Sequence, residues 1–482
     1  MAFVFVSRFL TLVLLLLLSF HSQHCLAKCH VDDETGLLAF KSGITQDPSG
    51  MLSSWKSGTE CCSAWFGVSC SSGYGKRVTS ISLYGQLDNP KSFLSGTISP
   101  SLSKIRYLTD ISLTNLRNIT GTFPTFLYNL PDLSIVYIEN NKLSGPLPVD
   151  IGKLFRLFAF GVSGNRFTGS IPSSISQLTK LSQLKLDGNL FTGQIPDGIR
   201  EMKNLTYLNL EKNQFSGKIP DFFTSLTDLR ILSLGYNKLT GELPPTLSAL
   251  APLLRFLEIS HNVLTGKIPD YLSNFQQLDT LDLSSNQLTG TVPTSFKNLT
   301  KIFNLNLRRN RLVDPFPELN VRGIESLDLS YNKFNLGTIP KWVETSPIIY
   351  SLKLSGCGLK FRLEDFKPKQ TYFYDFIELS DNQISGSPVG LLNQTTLLKG
   401  FWASGNQLRF NMSNLIIPKS LKNLVLARNQ VLGKVPQSIS GLKKVDLSHN
   451  HLCGQLPVTK FPAEAFLGND CLCGSPLPPC KK

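Results

Sequence analysis

The side chains best suited to covalent or metal chemistry in this 482-residue chain are its cysteines, and they are unevenly spaced. Cys29, Cys61, Cys62 and Cys70 fall near the start; Cys453, Cys471, Cys473 and Cys480 fall near the end. Thiols grouped this closely can pair as disulfides or hold zinc as thiolates, and four cysteines allow three pairings that spacing alone does not separate. Between the two groups stands a single Cys357. His449 and His451, close to Cys453, invite a metal reading, but they flank one residue and should point to different sides. Surface histidines are the expectation. No Gly-rich phosphate loop, His-Glu-x-x-His pair or Gly-x-Ser-x-Gly elbow occurs, so nucleotide, zinc-protease and serine-hydrolase centres have no carrier. Paired acids could hold calcium, but no loop motif supports that. No catalytic residue, metal or cofactor is expected.

Which cysteine chemistry applies depends on the compartment. Residues 1–27 read as a secretory signal, with Arg8 as the positive region, Phe9 to Phe20 as the apolar run and Cys25-Leu26-Ala27 as the cleavage site. That run is short for a bilayer span, which needs about twenty residues, no later stretch matches it, and Cys480-Lys481-Lys482 is no apolar tail. The expectation is a secreted protein without membrane insertion, in which disulfides are favoured over zinc and nucleic acid drops out as a partner. Five Asn-x-Ser/Thr acceptors agree with secretion: Asn118, Asn204, Asn298, Asn393 and Asn411. With 48 Lys and Arg against 34 Asp and Glu the net charge is +14, which suits loose association with an acidic polysaccharide. The apolar content of 41% excludes a mainly disordered chain.

Self-similarity supplies the elements that carry these groups. Leu205-Thr-Tyr-Leu208-Asn-Leu210-Glu-Lys-Asn213 recurs as Leu229-Arg-Ile-Leu232-Ser-Leu234-Gly-Tyr-Asn237 and as Leu278-Asp-Thr-Leu281-Asp-Leu283-Ser-Ser-Asn286. The last position is filled in turn by Asn141, Asn165, Asn189, Asn213, Asn237, Asn262, Asn286, Asn310, Asn332, Cys357, Asn382, Asn406, Asn429 and Asn450. Looser copies begin near Val78 and at Leu108, for about sixteen repeats in all. A period of this kind marks a leucine-rich repeat, in which each copy adds one short strand to a parallel sheet lining the concave side of a coil. The fold expected is an α/β repeat solenoid, a right-handed superhelix with disulfide caps at both ends. Strands about 4.8 Å apart give an arc on the order of 75 Å long. Alternation along each strand buries the leucines and turns the intervening residues outward. The Asn closing each copy can satisfy buried backbone groups where the chain leaves the strand. Cys357 occupies that position too, so a structural thiol is expected. Asn118 falls close to one such position, which would disfavour a glycan there. A stack has apolar ends that must be covered. The helical spacing in Asp33 to Lys41, with Trp55 and Trp65, provides an N-terminal cap. The boundaries expected are 1–27 signal, 28–75 N-terminal cap, 76–452 solenoid and 453–482 C-terminal cap.

Most copies continue as Leu/Phe-x-Gly-x-Ile-Pro, as in Phe167-Thr-Gly169-Ser-Ile171-Pro172 and Phe215-Ser-Gly217-Lys-Ile219-Pro220. This resembles the plant extracellular class of leucine-rich repeat. Cys61-Cys62 followed by Trp65-Phe-Gly-Val-Ser-Cys70 is similar to the plant N-terminal cap, and the ending from Cys453 to Cys480 resembles that of the polygalacturonase-inhibiting proteins. The resemblance implies the pairs Cys29–Cys61, Cys62–Cys70, Cys453–Cys471 and Cys473–Cys480. It also implies a cell-wall protein that binds and blocks microbial pectin-degrading enzymes with its concave face. The stretch Arg311 to Ile417 departs from the pattern, since Leu312-Val-Asp-Pro-Phe-Pro, Leu359-Lys-Phe-Arg and Leu408-Arg-Phe-Asn lack the Gly-x-Ile-Pro wording. A broken period can reshape the binding face there, which favours a receptor-like signalling or assembly module.

Outward positions of the strands and positions neighbouring them give the candidate partner-binding residues: Tyr207, Tyr236, Arg255, Glu258, Asp282, Arg308, Asp328, Tyr331, Lys353, Glu378 and Trp402. From Glu258 to Glu378 the central column is mostly acidic within a basic chain. Aromatics and arginines beside such a column are the residue types that dominate protein contacts, and the acids suit a basic patch or a peptide's cationic residues. A shallow open arc does little to exclude water from a sugar, which argues against paired-carboxylate glycoside hydrolysis. The expected function is non-catalytic binding of a protein, with polygalacturonase inhibition in defence as the specific version. The alternative is a soluble receptor-like module that binds a peptide or a membrane receptor's ectodomain.

Overall fold

The computed structural model describes residues 29–72, 75–321 and 323–481; the expected signal over 1–27 lies outside them. The chain forms two compact units, Met1–Asn189 and Leu190–Lys482.

In the first unit the cap opens with a helix, Val31–Ser42, whose first turn carries Asp32, Asp33 and Glu34. Carboxylates there complement the positive end of the helix dipole. Phe40 packs on Trp55, and Trp55 stacks on Trp65 with ring centroids 5.5 Å apart. All three side chains are buried, which at about 1.5–3 kcal/mol for each large apolar side chain makes this cluster a substantial support of the cap. Asp33 is fully buried but not isolated. Arg77 donates to it through Nε and Nη2 at 2.9 and 2.7 Å, and the Val78 N–H adds a third bond at 2.9 Å. This fork ties the helix to the first solenoid strand, Val78–Tyr84, against which Val68–Cys70 lies antiparallel. Cys29–Cys61 and Cys62–Cys70 are disulfides. Although the sulfurs of Cys61, Cys62 and Cys70 lie within 4.8 Å of one another, bonded sulfurs offer no thiolate to a metal. Parallel strands then follow at Asp110–Thr114, Ile135–Tyr137, Ala159–Gly161 and Gln183–Lys185.

The second unit contains eleven more strands of the same kind, from Tyr207–Asn209 to Lys444–Asp446. With the five in the first unit this makes sixteen among the described residues. Their registers align residue for residue: Leu208 pairs with Leu232, Leu232 with Leu257, Leu257 with Leu281, and so on to Leu424 with Val445. The aligned central residues are all buried. The period thus yields a parallel solenoid sheet with a continuous apolar row beneath it.

The closing asparagines do the work their amides suit. Asn262 donates through Nδ2 to the carbonyls of Leu234, Ile259 and Ser260, and its Oδ1 accepts the Leu239 N–H at 2.9 Å. Asn237, Asn286 and Asn310 repeat the pattern. Cys357 stands in the same row, buried and unpaired, with its thiol directed at the Leu329 carbonyl at 3.4 Å. Burial pushes the thiol well above its ordinary pKa, which makes it inert. Asn118 lies close to the row but not in it: Leu116 fills the buried position of that repeat, and Asn118 lies half-exposed on the flanking strand Arg117–Gly121. One additional residue between Leu116 and Ile119 displaces it from the row.

At the C-terminal end the strand His451–Gln455 pairs with Cys471–Cys473, and disulfides join Cys453 to Cys471 and Cys473 to Cys480. The four disulfides are the pairs the family resemblance implies. His449 and His451 are both exposed, and His451 approaches Asp470 at 3.1 Å. Among the described residues no helix is long and apolar enough to cross a membrane.

Candidate functional site

The outward face of the second unit is built from two rows. One is the strand column, of which Glu258, Asp282, Asn306, Asp328, Lys353, Glu378 and Trp402 occupy matched positions. The other is the residue just before each closing position: Lys212, Tyr236, His261, Ser285, Arg309, Tyr331, Gly356, Asp381, Gly405, Arg428 and His449. All of these have left-handed backbone, with φ from 51° to 64°. For a residue with a Cβ this conformation is strained, and it is held by bonds across repeats. The Tyr236 N–H donates to Ser260 and the His261 N–H to Ser284, each at 2.9 Å. The turn that lets each closing Asn bury its amide therefore also lifts the preceding side chain onto the outward face.

These side chains meet one another. Tyr236 and His261 stack face to face, with centroids 3.9 Å apart and planes 9° from parallel. Lys212 sits over the Tyr236 ring at 5.4 Å and pairs with Glu211 at 2.8 Å. Farther along, Arg308 and Arg309 both lie over the Tyr331 ring, at 5.2 and 6.0 Å. The Tyr331 hydroxyl donates to Asp381 at 3.2 Å, and Arg428 reaches the same carboxylate. Ring-to-cation stacking is worth about 0.5–1 kcal/mol per exposed pair, which biases these side chains toward the stacked arrangement before any partner arrives.

Beside this row the acids are crowded. Burial, together with the charges of Glu211 and Asp282, raises the Glu258 carboxyl to about 7, against the opposing effects of the Ser260 hydroxyl and Lys212. His261 moves the other way: burial, aided by Arg309 and Arg308, lowers it despite Asp282. Asp282 accepts from the Ser284 N–H at 2.8 Å and from the Asn306 amide at 2.9 Å. Asp328 does not reach the surface. It is 5% exposed, accepts the Ser330 N–H, and lies 3.8 Å from Arg308, which covers it. Arg255 is exposed but precedes the strand Phe256–Glu258 and pairs with Asp279 at 3.0 Å, so it stands beside the central column. Glu378 accepts from the Ser355 hydroxyl at 3.2 Å. Trp402 lies flat across Gly400, where a Cβ would come within 2.1 Å of the indole, and beside Phe376. Tyr207 and Lys353 are half-exposed at their strand positions. The structure thus brings Tyr236, Glu258, Asp282, Arg308 and Tyr331 onto one face and adds Glu211, Lys212, His261, Asp381 and Arg428. In the first unit, taken by itself, the strand column carries Tyr137, which donates to Gln183 at 2.8 Å, and Lys185, 3.6 Å from Glu139.

The strand pattern, the asparagine row and the capped ends have counterparts among known families. The leucine rich repeat N-terminal domain matches residues 30–71, and leucine rich repeats match 203–264, 252–312 and 323–345. The chain folds as the leucine-rich repeat solenoid. It is similar to the polygalacturonase inhibitors of plants, being 34% identical over 113 residues to polygalacturonase inhibitor 2 of Arabidopsis thaliana, across 22% of this chain and 34% of that one. It is also 34% identical over 122 residues to the DNA damage-repair/toleration protein DRT100 of the same plant, across 24% of this chain and 32% of the other. This leucine-rich repeat chain spans about a third of the length of those relatives. A solved structure, the Arabidopsis receptor kinase HAESA in complex with the peptide hormone IDA and the co-receptor SERK1, is 25% identical with a TM-score of 0.55, covering 92% of this chain and 98% of that chain.

Proposed function

We propose that this is a secreted, glycosylated wall protein that binds another protein through the outward face of its second unit, and that its partner is a microbial polygalacturonase which it inhibits. One observation carries the reading: aromatic and arginine side chains, fixed by mutual stacking from Lys212 to Tyr331, run alongside the carboxylates Glu211, Glu258 and Asp282. Rigid aromatics and arginines are the side chains that anchor protein interfaces, and pre-ordered groups lose less freedom on binding. Similarity to polygalacturonase inhibitor 2 supports the choice of partner. The net charge of +14 supports loose, salt-sensitive retention on pectin. Five glycan acceptors support secretion. Asn204, Asn298, Asn393 and Asn411 are exposed and outside the strand column, so glycans on them leave the face open.

A second reading is a soluble receptor-like module for a peptide, favoured by likeness to the HAESA structure with its peptide hormone and co-receptor. The test that separates them is inhibition by the purified glycosylated protein of a panel of microbial polygalacturonases at mildly acidic pH, with a pectin-only control for substrate masking. The inhibitor reading expects a dose-dependent, saturable loss of activity that Tyr236→Ala with Arg308→Ala weakens at least about tenfold, as removal of two anchors should. No inhibition across the panel would overturn it in favour of the peptide module. Release of sugar from pectin without an added enzyme would overturn both.

A further inference from the structure

We infer that the flank of the second unit carries a separate docking pocket for a basic, aromatic-containing peptide segment of a partner protein. The pocket begins with a substitution in the repeat. Four residues after the closing position stand Gly193, Gly217, Gly241, Gly266 and Gly290, with φ from 78° to 84°. Residues with a Cβ avoid that conformation, and the glycines let the strands Leu190–Gly193, Gln214–Lys218, Lys238–Gly241 and Val263–Leu264 join one parallel flank sheet. The next three repeats put Asp314, Leu336 and Phe361 at this position, and none of the three adopts positive φ. Here the flank sheet is interrupted, and a cavity of about 580 Å³ opens, lined by Asp314, Leu336 and Phe361 together. That volume is within the roughly 300–1,000 Å³ of typical ligand clefts.

Its chemistry is selective. Phe316 and Phe361 form half-buried walls, while Asp314, Glu318 and Asp365 are exposed at the opening. The one cation among the lining residues, Lys341, is already paired with Glu344 at 2.6 Å. Three carboxylates therefore stand without a lining counter-charge in a chain whose net charge is +14. Asp314 is oriented by the Asn335 N–H at 2.6 Å, and a carboxylate so held keeps lone pairs for a further donor. A guanidinium or ammonium group satisfies these acids and stacks on the phenylalanine faces, and an adjoining aromatic or aliphatic residue fills the apolar remainder. That is a short peptide with one basic and one large apolar residue side by side. The pocket is independent of the outward face, so a partner held there leaves the face accessible.

The experiment is fluorescence anisotropy of the labelled peptide Ser-Leu-Arg-Phe-Ser with the full chain, against Ser-Leu-Gln-Phe-Ser. The arginine peptide should bind saturably and about tenfold tighter than the glutamine one. Asp314→Asn with Asp365→Asn, both at exposed positions, should remove that tenfold preference while leaving the melting midpoint unchanged. Tyr236→Ala, on the outward face, should bind the peptide as the parent does. Absence of saturable binding, equal affinity for the two peptides, or full binding by the double variant would each overturn the proposal. Loss of binding in Tyr236→Ala would overturn it by moving the peptide to the outward face. The inhibition assay stands apart, because the double variant should inhibit as the parent does if that reading holds.

Discussion

Between Asn213 and Asn310 the closing asparagines are 24 or 25 residues apart, and those from Asn213 to Asn286 are each followed by a glycine four residues on; between Arg311 and Ile417 the spacing wanders and three successive glycines are lost. The strand column responds to none of this. Asn306 pairs with Asp328, Asp328 with Lys353, Lys353 with Glu378 and Glu378 with Trp402, in the same register as in the regular repeats. The broken period leaves the strand register unchanged, and the irregularity is expressed on the flank. The physical reason is a division of labour within each repeat. Buried leucines and the asparagine amide fix the strand and the turn out of it, whereas the glycine fixes only how the flank continues. One half of the repeat can be rewritten while the other keeps its geometry.

The largest test of this division is aimed at the asparagine row. Asn262→Ala removes one acceptor and the donors to three carbonyls, all buried. At about 1–3 kcal/mol for each group left without a partner, and with partial relief from remaining bonds, the loss should be about 3 kcal/mol. Cys357→Ala in the irregular stretch removes only a thiol contact at 3.4 Å and should cost about 1 kcal/mol, mostly through the small cavity it leaves. Denaturant unfolding of the two variants checks this. Equal losses would mean that the row does not carry the regular repeats as argued.

A smaller effect is expected from the flank. Gly241→Leu places a Cβ at φ 81°, 3.0 Å from the Lys218 side chain, and should cost about 1–2 kcal/mol, the ordinary penalty of left-handed backbone. Leu336→Gly in the irregular stretch relieves no such strain and should lose stability only through lost burial and added chain freedom, about 1 kcal/mol. Thermal melts of both variants make the comparison. A gain in stability from Leu336→Gly would show that the irregular flank retains the regular geometry under tension.

How much of this was legible follows the same division. The strands, the asparagine row and the structural role of Cys357 could be read because one residue type serves one physical task at a fixed period. The left-handed row could not, since Lys212, Tyr236, His261, Arg309, Tyr331, Asp381 and Arg428 share a backbone conformation and no side-chain type. Its signal was positional: the residue immediately before each closing asparagine. Asp328 had the right alternation but folds back onto the Ser330 N–H beneath Arg308, a choice that strand periodicity does not encode. The flank pocket was signalled by Asp314, Leu336 and Phe361 in place of glycine, yet only the folded chain brings the three together.

The smallest effect concerns charge within the regular half. Glu258 is raised from its usual range to about 7, chiefly by burial and then by Glu211 and Asp282. The folded chain therefore holds a proton that the unfolded chain has already released above about pH 4.5. Stability from this group is complete at low pH and is lost as pH rises through 7. Solvent reaches the side chain in part, so screening limits the effect to about 1 kcal/mol or less. Glu258→Gln, which cannot ionise, should remove this slope, and melting curves at pH 5 and pH 8 should show the parent losing more stability than the variant on going up. If Glu258→Gln lost as much stability as the parent between the two pH values, the acid crowding around Glu258 would not be the source of the slope.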